Sequence, residues 1–224
     1  MPASRIFFPG SDSVPASWLL RVLAVGAVLL GTAGVVIGAS PEATENAGEL
    51  TIVLLHVPAA WLSLLLYAAA AASAALILGQ PEGDPARLLQ AIAPVGVVAS
   101  LVALWSGLAG QRALGAWWGW DARLVCELVL LVLYGGAMVL LAVLEDPLRA
   151  ERAAAVLVLV GALNIPAIYF SVNWWHTLHE RAAASVGRSS FSIAAMVVMT
   201  LAFCMVAGAV VMARLQSGAP KEQQ

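Results

Sequence analysis

The sequence predicts an all-α integral membrane protein, a six-transmembrane-helix bundle with both termini cytoplasmic. Three observations carry that expectation. Of 224 residues, 62% are hydrophobic and 11% charged, where a soluble domain is nearer half apolar and a quarter charged. Six apolar segments reach or approach the roughly 20 residues that a bilayer-crossing helix needs. Strand-like alternation is absent, which excludes a membrane barrel.

The segments are Trp18–Ala39, Ile52–Gly79, Leu88–Gly110, Leu124–Leu144, Ala153–Val172 and Phe191–Leu215. The first follows a polar, mixed stretch. It is too long for the apolar region of a signal peptide and is read as a retained span. The second contains Ala68–Ala75, all Ala and Ser, which lets helices approach closely. The third and fifth contain Pro94 and Pro166. No repeat, soluble domain or long linker is visible. The expected organisation is a cytoplasmic N-terminal segment 1–17, a membrane domain 18–215 with external loops 111–123 and 173–190, and a cytoplasmic tail 216–224.

Charge supplies the orientation. The N-terminus, even loops and C-terminus hold Arg5, Arg21, Arg87, Arg149, Arg152, Arg214 and Lys221, whereas the odd loops hold Arg112, Arg123, Arg181 and Arg188. The first odd loop, "SPEATENAGEL", has Glu42, Glu45 and Glu49 and no base. The Lys/Arg bias places the termini inside and the odd loops outside. A net charge of -2 without a basic run gives no indication of nucleic acid. Cys126 and Cys204 lie in apolar stretches with no CxxC and read as buried free thiols. No GxxxxGK[ST] phosphate loop occurs, so ATP use would belong to a partner.

This orientation gathers the unusual residues at one face. Trp117, Trp118, Trp120, Trp174 and Trp175 all fall in or beside the second and third external loops. An interfacial aromatic belt would populate both faces, yet the inner loops contain no Trp. Belt or helix packing accounts for Trp18, Trp61 and Trp105. The other five suit a platform for a large flat ligand. The chain's three histidines, His56, His176 and His179, fall at the same face. His56 sits in "LLHVPAAW", where Pro58 frees the Leu54 carbonyl. It reads either as a structural residue satisfying such groups or as a metal ligand, since an ionisable group within a span suggests function. Two histidines from separate helices beneath an aromatic shelf suit haem iron better than a closed four-ligand zinc site. Copper stays open, though no Met- or Cys-rich ligand set lies at that face. Arg123 either pairs with Glu127 at i, i+4 or meets a haem propionate, and Asp121 is placed to cap the fourth span.

Three stretches together resemble the haem-handling membrane proteins with a tryptophan-rich WWD motif, and among these the CcmC family of haem exporter proteins in cytochrome c maturation. They are "LLHVPAAW" (Leu54–Trp61), "WWGWDARLVCELVLL" (Trp117–Leu131) and "NIPAIYFSVNWWHTLH" (Asn164–His179). The resemblance implies that His56 and His179 are axial ligands of haem b, with His176 as a substitute. It implies a haem support built from Gly115, Trp117, Trp118, Trp120 and Asp121, with Arg123, Trp174 and Trp175 nearby. It implies a site on the periplasmic side of the bacterial inner membrane, delivery of haem to the chaperone CcmE, and work with CcmA, CcmB and CcmD rather than an enzymatic activity. The chain departs from the family pattern W-G-x-W-W-x-W-D at Leu114, where the motif begins with Trp, and at His176, where a neutral polar residue is expected. Two competing readings are a small solute transporter or channel subunit, with Pro94 and Pro166 marking broken helices, and a cytochrome c synthase of the same superfamily, whose chains are generally larger.

Overall fold

A computed structural model describes residues 16–39, 52–79, 85–113, 121–174 and 190–217. Among them are α1 (Ala16–Gly38), a π-helical turn (Ile52–His56) that runs into α2 (Val57–Gly79), α3 (Pro85–Ala113), α4 (Ala122–Val143), α5 (Pro147–Gly161), α6 (Asn164–Trp174) and α7 (Ser190–Ser217). These residues contain no strand. Six stretches are long and apolar enough to cross a membrane: Trp18–Gly38, Leu54–Gly79, Pro85–Arg112, Ala122–Val143, Pro147–Phe170 and Ile193–Ser217. The protein is therefore a multi-pass helical membrane protein, and each expected span is present.

The fifth span differs from its sequence reading in two respects. It begins at Pro147 rather than near Ala153. Asp146 caps it, its Oδ1 accepting from the Leu148 N–H at 3.0 Å and the Arg149 N–H at 3.4 Å, and Pro147 suits the first helical position. Hydropathy overlooks this turn because it carries Arg149, Glu151 and Arg152. The same span is also broken into α5 and α6 by a turn at Ala162 and Leu163. Pro166 lacks an N–H for the Ala162 carbonyl four residues back, and its ring crowds that carbonyl. The Ile165 N–H bonds to the Ala162 carbonyl instead, at 3.1 Å. Asn164 closes the gap by donating its Nδ2 to the Cys126 carbonyl at 2.8 Å, which ties the start of α6 to α4. Pro94, in contrast, lies inside the continuous α3.

The interior is built on small residues and two tyrosines. α2 packs on α3 and α5, while α4 packs on α3, α5 and α6. Ala70, Ala74, Ala137, Ala154 and Ala155 are all fully buried in this seam, which brings the helix backbones close. Tyr67 and Tyr134 meet edge to face at 5.1 Å. Each hydroxyl donates to a carbonyl on another helix, Tyr67 to Val158 at 3.1 Å and Tyr134 to Ser63 at 2.8 Å. α1 lies on the flank against α7, with Gly26 and Gly34 facing Met205 and Met199. Cys126 and Cys204 are free thiols, but half-buried rather than buried.

Candidate functional site: a histidine-lined cavity at one end of the bundle

The up-and-down path of the chain places one set of helix ends together: the π-helical turn before α2, the end of α3, the start of α4 and the end of α6. His56 closes the π-helical turn and is buried, at 8% exposure. The wide turn stands just ahead of Pro58, which cannot donate to the Leu54 carbonyl; π-helical turns recur at functional positions. The His56 Nδ1 lies 2.8 Å from the Ala103 carbonyl oxygen on α3. A carbonyl only accepts, so Nδ1 carries the proton and Nε2 the lone pair. Orienting a histidine through its second nitrogen is how metal-ligating imidazoles are commonly held. The Ser106 hydroxyl lies 3.5 Å from the same Nδ1 and donates to the Val102 carbonyl at 2.6 Å. Gly107 makes this contact feasible: a Cβ there would stand 2.9 Å from His56 Cε1 and 2.5 Å from Leu124 Cδ2.

His56 opens onto a cavity of about 310 Å³ between α2, α4 and α6. Its walls are mostly apolar, with Trp61, Leu64, Leu124, Ile165, Ile168 and Tyr169 among them, and its polar groups are His56, Arg123 and Glu127. Trp61 and Tyr169 are largely exposed at its edge. Arg123 Nε and Glu127 Oε1 are buried without a hydrogen-bond partner. Of the two readings of Arg123, the pair with Glu127 is not formed: no ion pair joins these two described residues. Glu127, 4% exposed, instead lies beside Ser63 of α2 and Ser100 of α3. The Ser100 hydroxyl is itself unpartnered.

Asp121 takes the capping role. Its extended backbone precedes α4, and its Oδ1 accepts from the Arg123 N–H at 2.9 Å. Asp121→Ala should lower stability by about 1 kcal/mol, as loss of a cap does, whereas Asp121→Asn should keep most of it. Thermal midpoints of the purified variants check this; equal losses in both would mean that the charge, not the cap, matters.

The structure thus places His56 and Arg123 on one cavity, with Asp121 capping the helix that carries Arg123. Gly115, Trp117, Trp118, Trp120, Trp175, His176 and His179 lie outside the described residues, and Trp174 is the last residue of α6. Two lining residues were undervalued in the sequence. The sequence offers Trp61 only as belt or packing and Glu127 only as a pairing candidate for Arg123. The usable signals were an acid more than a turn inside an apolar helix and a Trp five residues from His56.

The chemistry of this donor set fits haem. It supplies an imidazole oriented through Nδ1, a buried guanidinium nitrogen without an acceptor, and apolar walls with aromatic edges. Among the described residues no cluster of three or more His, Cys, Asp or Glu could hold a bare metal ion.

Comparison with known proteins agrees. The family model described as heme exporter protein C matches residues 9–223. The chain is 40% identical over 166 residues to the heme exporter protein C of Escherichia coli strain K12, covering 73% of this chain and 68% of that protein. It is 39% identical over 193 residues to the heme exporter protein C of Bradyrhizobium diazoefficiens, covering 83% and 73%. It is 33% identical over 171 residues to that of Paracoccus denitrificans, covering 75% and 71%. Six apolar spans, an oriented histidine over an apolar cavity and a match along nearly the whole chain have one explanation: this membrane protein belongs to the heme exporter protein C (CcmC) family, the haem-handling proteins of cytochrome c biogenesis.

Proposed function

We propose that this chain binds haem b at the periplasmic face of the bacterial inner membrane and delivers it to the chaperone CcmE, working beside CcmA, CcmB and CcmD. The observation that carries the reading is His56, buried at the cavity with its Nδ1 proton on the Ala103 carbonyl. His56 would hold the haem iron through Nε2, and His179 would supply the second ligand. Arg123 pairs with a propionate. Gly115, Trp117, Trp118 and Trp120 form the loop that covers the porphyrin, with Trp174 from the end of α6 and Trp175 next to it in sequence. Bound haem supplies the vinyl group on which the chaperone's covalent bond forms; this chain's residues bind, orient and present the cargo. ATP hydrolysis belongs to CcmA, and the role here is not enzymatic.

The experiment is haem content. Protein purified from haem-replete membranes should carry near-stoichiometric, non-covalent haem by the pyridine haemochrome assay, and membranes lacking it should leave CcmE without haem. Protein free of haem, or normal loading of CcmE in its absence, would sink the reading.

Leu114 offers a second check. Restoring the motif's first tryptophan, Leu114→Trp, adds a stacking face next to the loop. Equal or tighter haem retention is expected in a competition assay with apomyoglobin. A clear loss would show that the loop packs differently in this chain.

A further inference from the structure

The opposite end of the bundle, where α3 begins and α7 ends, has a site of its own. A groove of about 500 Å³ lies between α3 and α7. Val95, Val98 and Val102 form one wall and Phe203, Val206 and Val210 the other. Val98, Val206 and Val210 are exposed, so the groove opens on the outer surface of the bundle. Arg214 closes one end. A second cavity of about 420 Å³ begins at Arg214 and is lined by Arg87, Gln90 and Ser217. An apolar groove therefore continues into a cationic pocket. Arg87 donates to the Leu215 carbonyl at 3.2 Å, which holds the start of α3 against the end of α7. Arg214 forms no ion pair with any described residue.

Length and charge select the ligand. Phe203 and Arg214 are eleven residues apart, about 16 Å along a helix. Half of a bilayer's hydrocarbon core is about 15 Å. The groove thus matches one leaflet, with its arginines at headgroup depth. We propose that this site binds an anionic phospholipid, one acyl chain lying between α3 and α7 and the phosphate meeting Arg214 and Arg87. The proposal is independent of the haem reading.

Electron paramagnetic resonance of chain-labelled lipids in vesicles containing the full-length protein tests it. Spin-labelled phosphatidylglycerol should show a protein-restricted component preferred over that of phosphatidylcholine. Loss of one arginine should reduce the preference roughly fivefold, the equivalent of about 1 kcal/mol for a basic residue near the surface. Arg214→Gln should have that effect and Arg214→Lys should keep most of the preference. Val206→Trp should fill the groove and lower the restricted fraction of both lipids. Unaltered thermal midpoints show that the variants are folded. Equal restriction of the two lipids in the wild type overturns the proposal, as does a preference unchanged by Arg214→Gln. So does a photoreactive phenylalanine at Val206 that captures a protein rather than a lipid in native membranes.

Discussion

His56→Ala is expected to abolish six-coordinate haem and to weaken haem retention by a factor on the order of 100 or more. The magnitude follows from ligand anatomy: removing an outer partner of a metal-bound imidazole already costs about 10–100-fold in affinity, and His56→Ala removes the imidazole itself. The cavity should survive, because its apolar walls come from α2, α4 and α6. The variant should therefore fold, and added imidazole should restore a six-coordinate absorption spectrum in His56→Gly. A six-coordinate spectrum that persists in His56→Ala would assign both ligands elsewhere. His179→Ala should behave similarly, leaving a five-coordinate haem on His56.

Gly96→Leu is expected to be the most damaging apolar substitution in the bundle. A Cβ at Gly96 on α3 would run into the Tyr134 ring, with Cε2 at 2.6 Å and Cζ and Cε1 closer still. Tyr134 cannot swing aside cheaply. It is fully buried, stacks edge-on against Tyr67 and donates to the Ser63 carbonyl. Over-packing costs about 1–3 kcal/mol, and stranding the hydroxyl adds about 1 kcal/mol on typical interhelical values. The expected total is about 3 kcal/mol, read as a large drop in the thermal midpoint in detergent. Gly135→Ala on α4, whose Cβ would meet nothing within 4 Å, is the control and should be near neutral. Combining Gly96→Leu with Tyr134→Ala should recover part of the loss, since contacting residues couple. An unchanged midpoint in Gly96→Leu would mean that α3 and α4 are not so closely apposed.

The spans were legible because hydropathy over some 20 residues is a strong, local signal. Their ends were less so. The charged first turn of α5 hid the true start at Pro147, and the Pro166 break appeared only as a residue type, without the Asn164–Cys126 bond that closes it. The site divided in the same way. His56, Asp121 and Arg123 carried their chemistry in residue type and position. What the sequence could not convey were contacts between distant segments. The His56 bond to Ala103 crosses 47 residues, and it depends on Gly107, whose importance lies only in the missing side chain. Glu127 illustrates the limit from the other side. Its i, i+4 spacing suggested an ion pair with Arg123, but packing between α2 and α3 placed it beside Ser63 and Ser100 instead.

Two histidines from separate segments, His56 and His179, are proposed to hold one haem. Pulsed electron paramagnetic resonance of the ferric protein, with isotopically labelled histidine, measures this directly. The expected result is a low-spin signal coupled to two labelled imidazoles in the wild type, and in His179→Ala a high-spin, five-coordinate signal coupled to one. In the wild type, a high-spin signal, or a low-spin signal with fewer than two imidazoles, would contradict it.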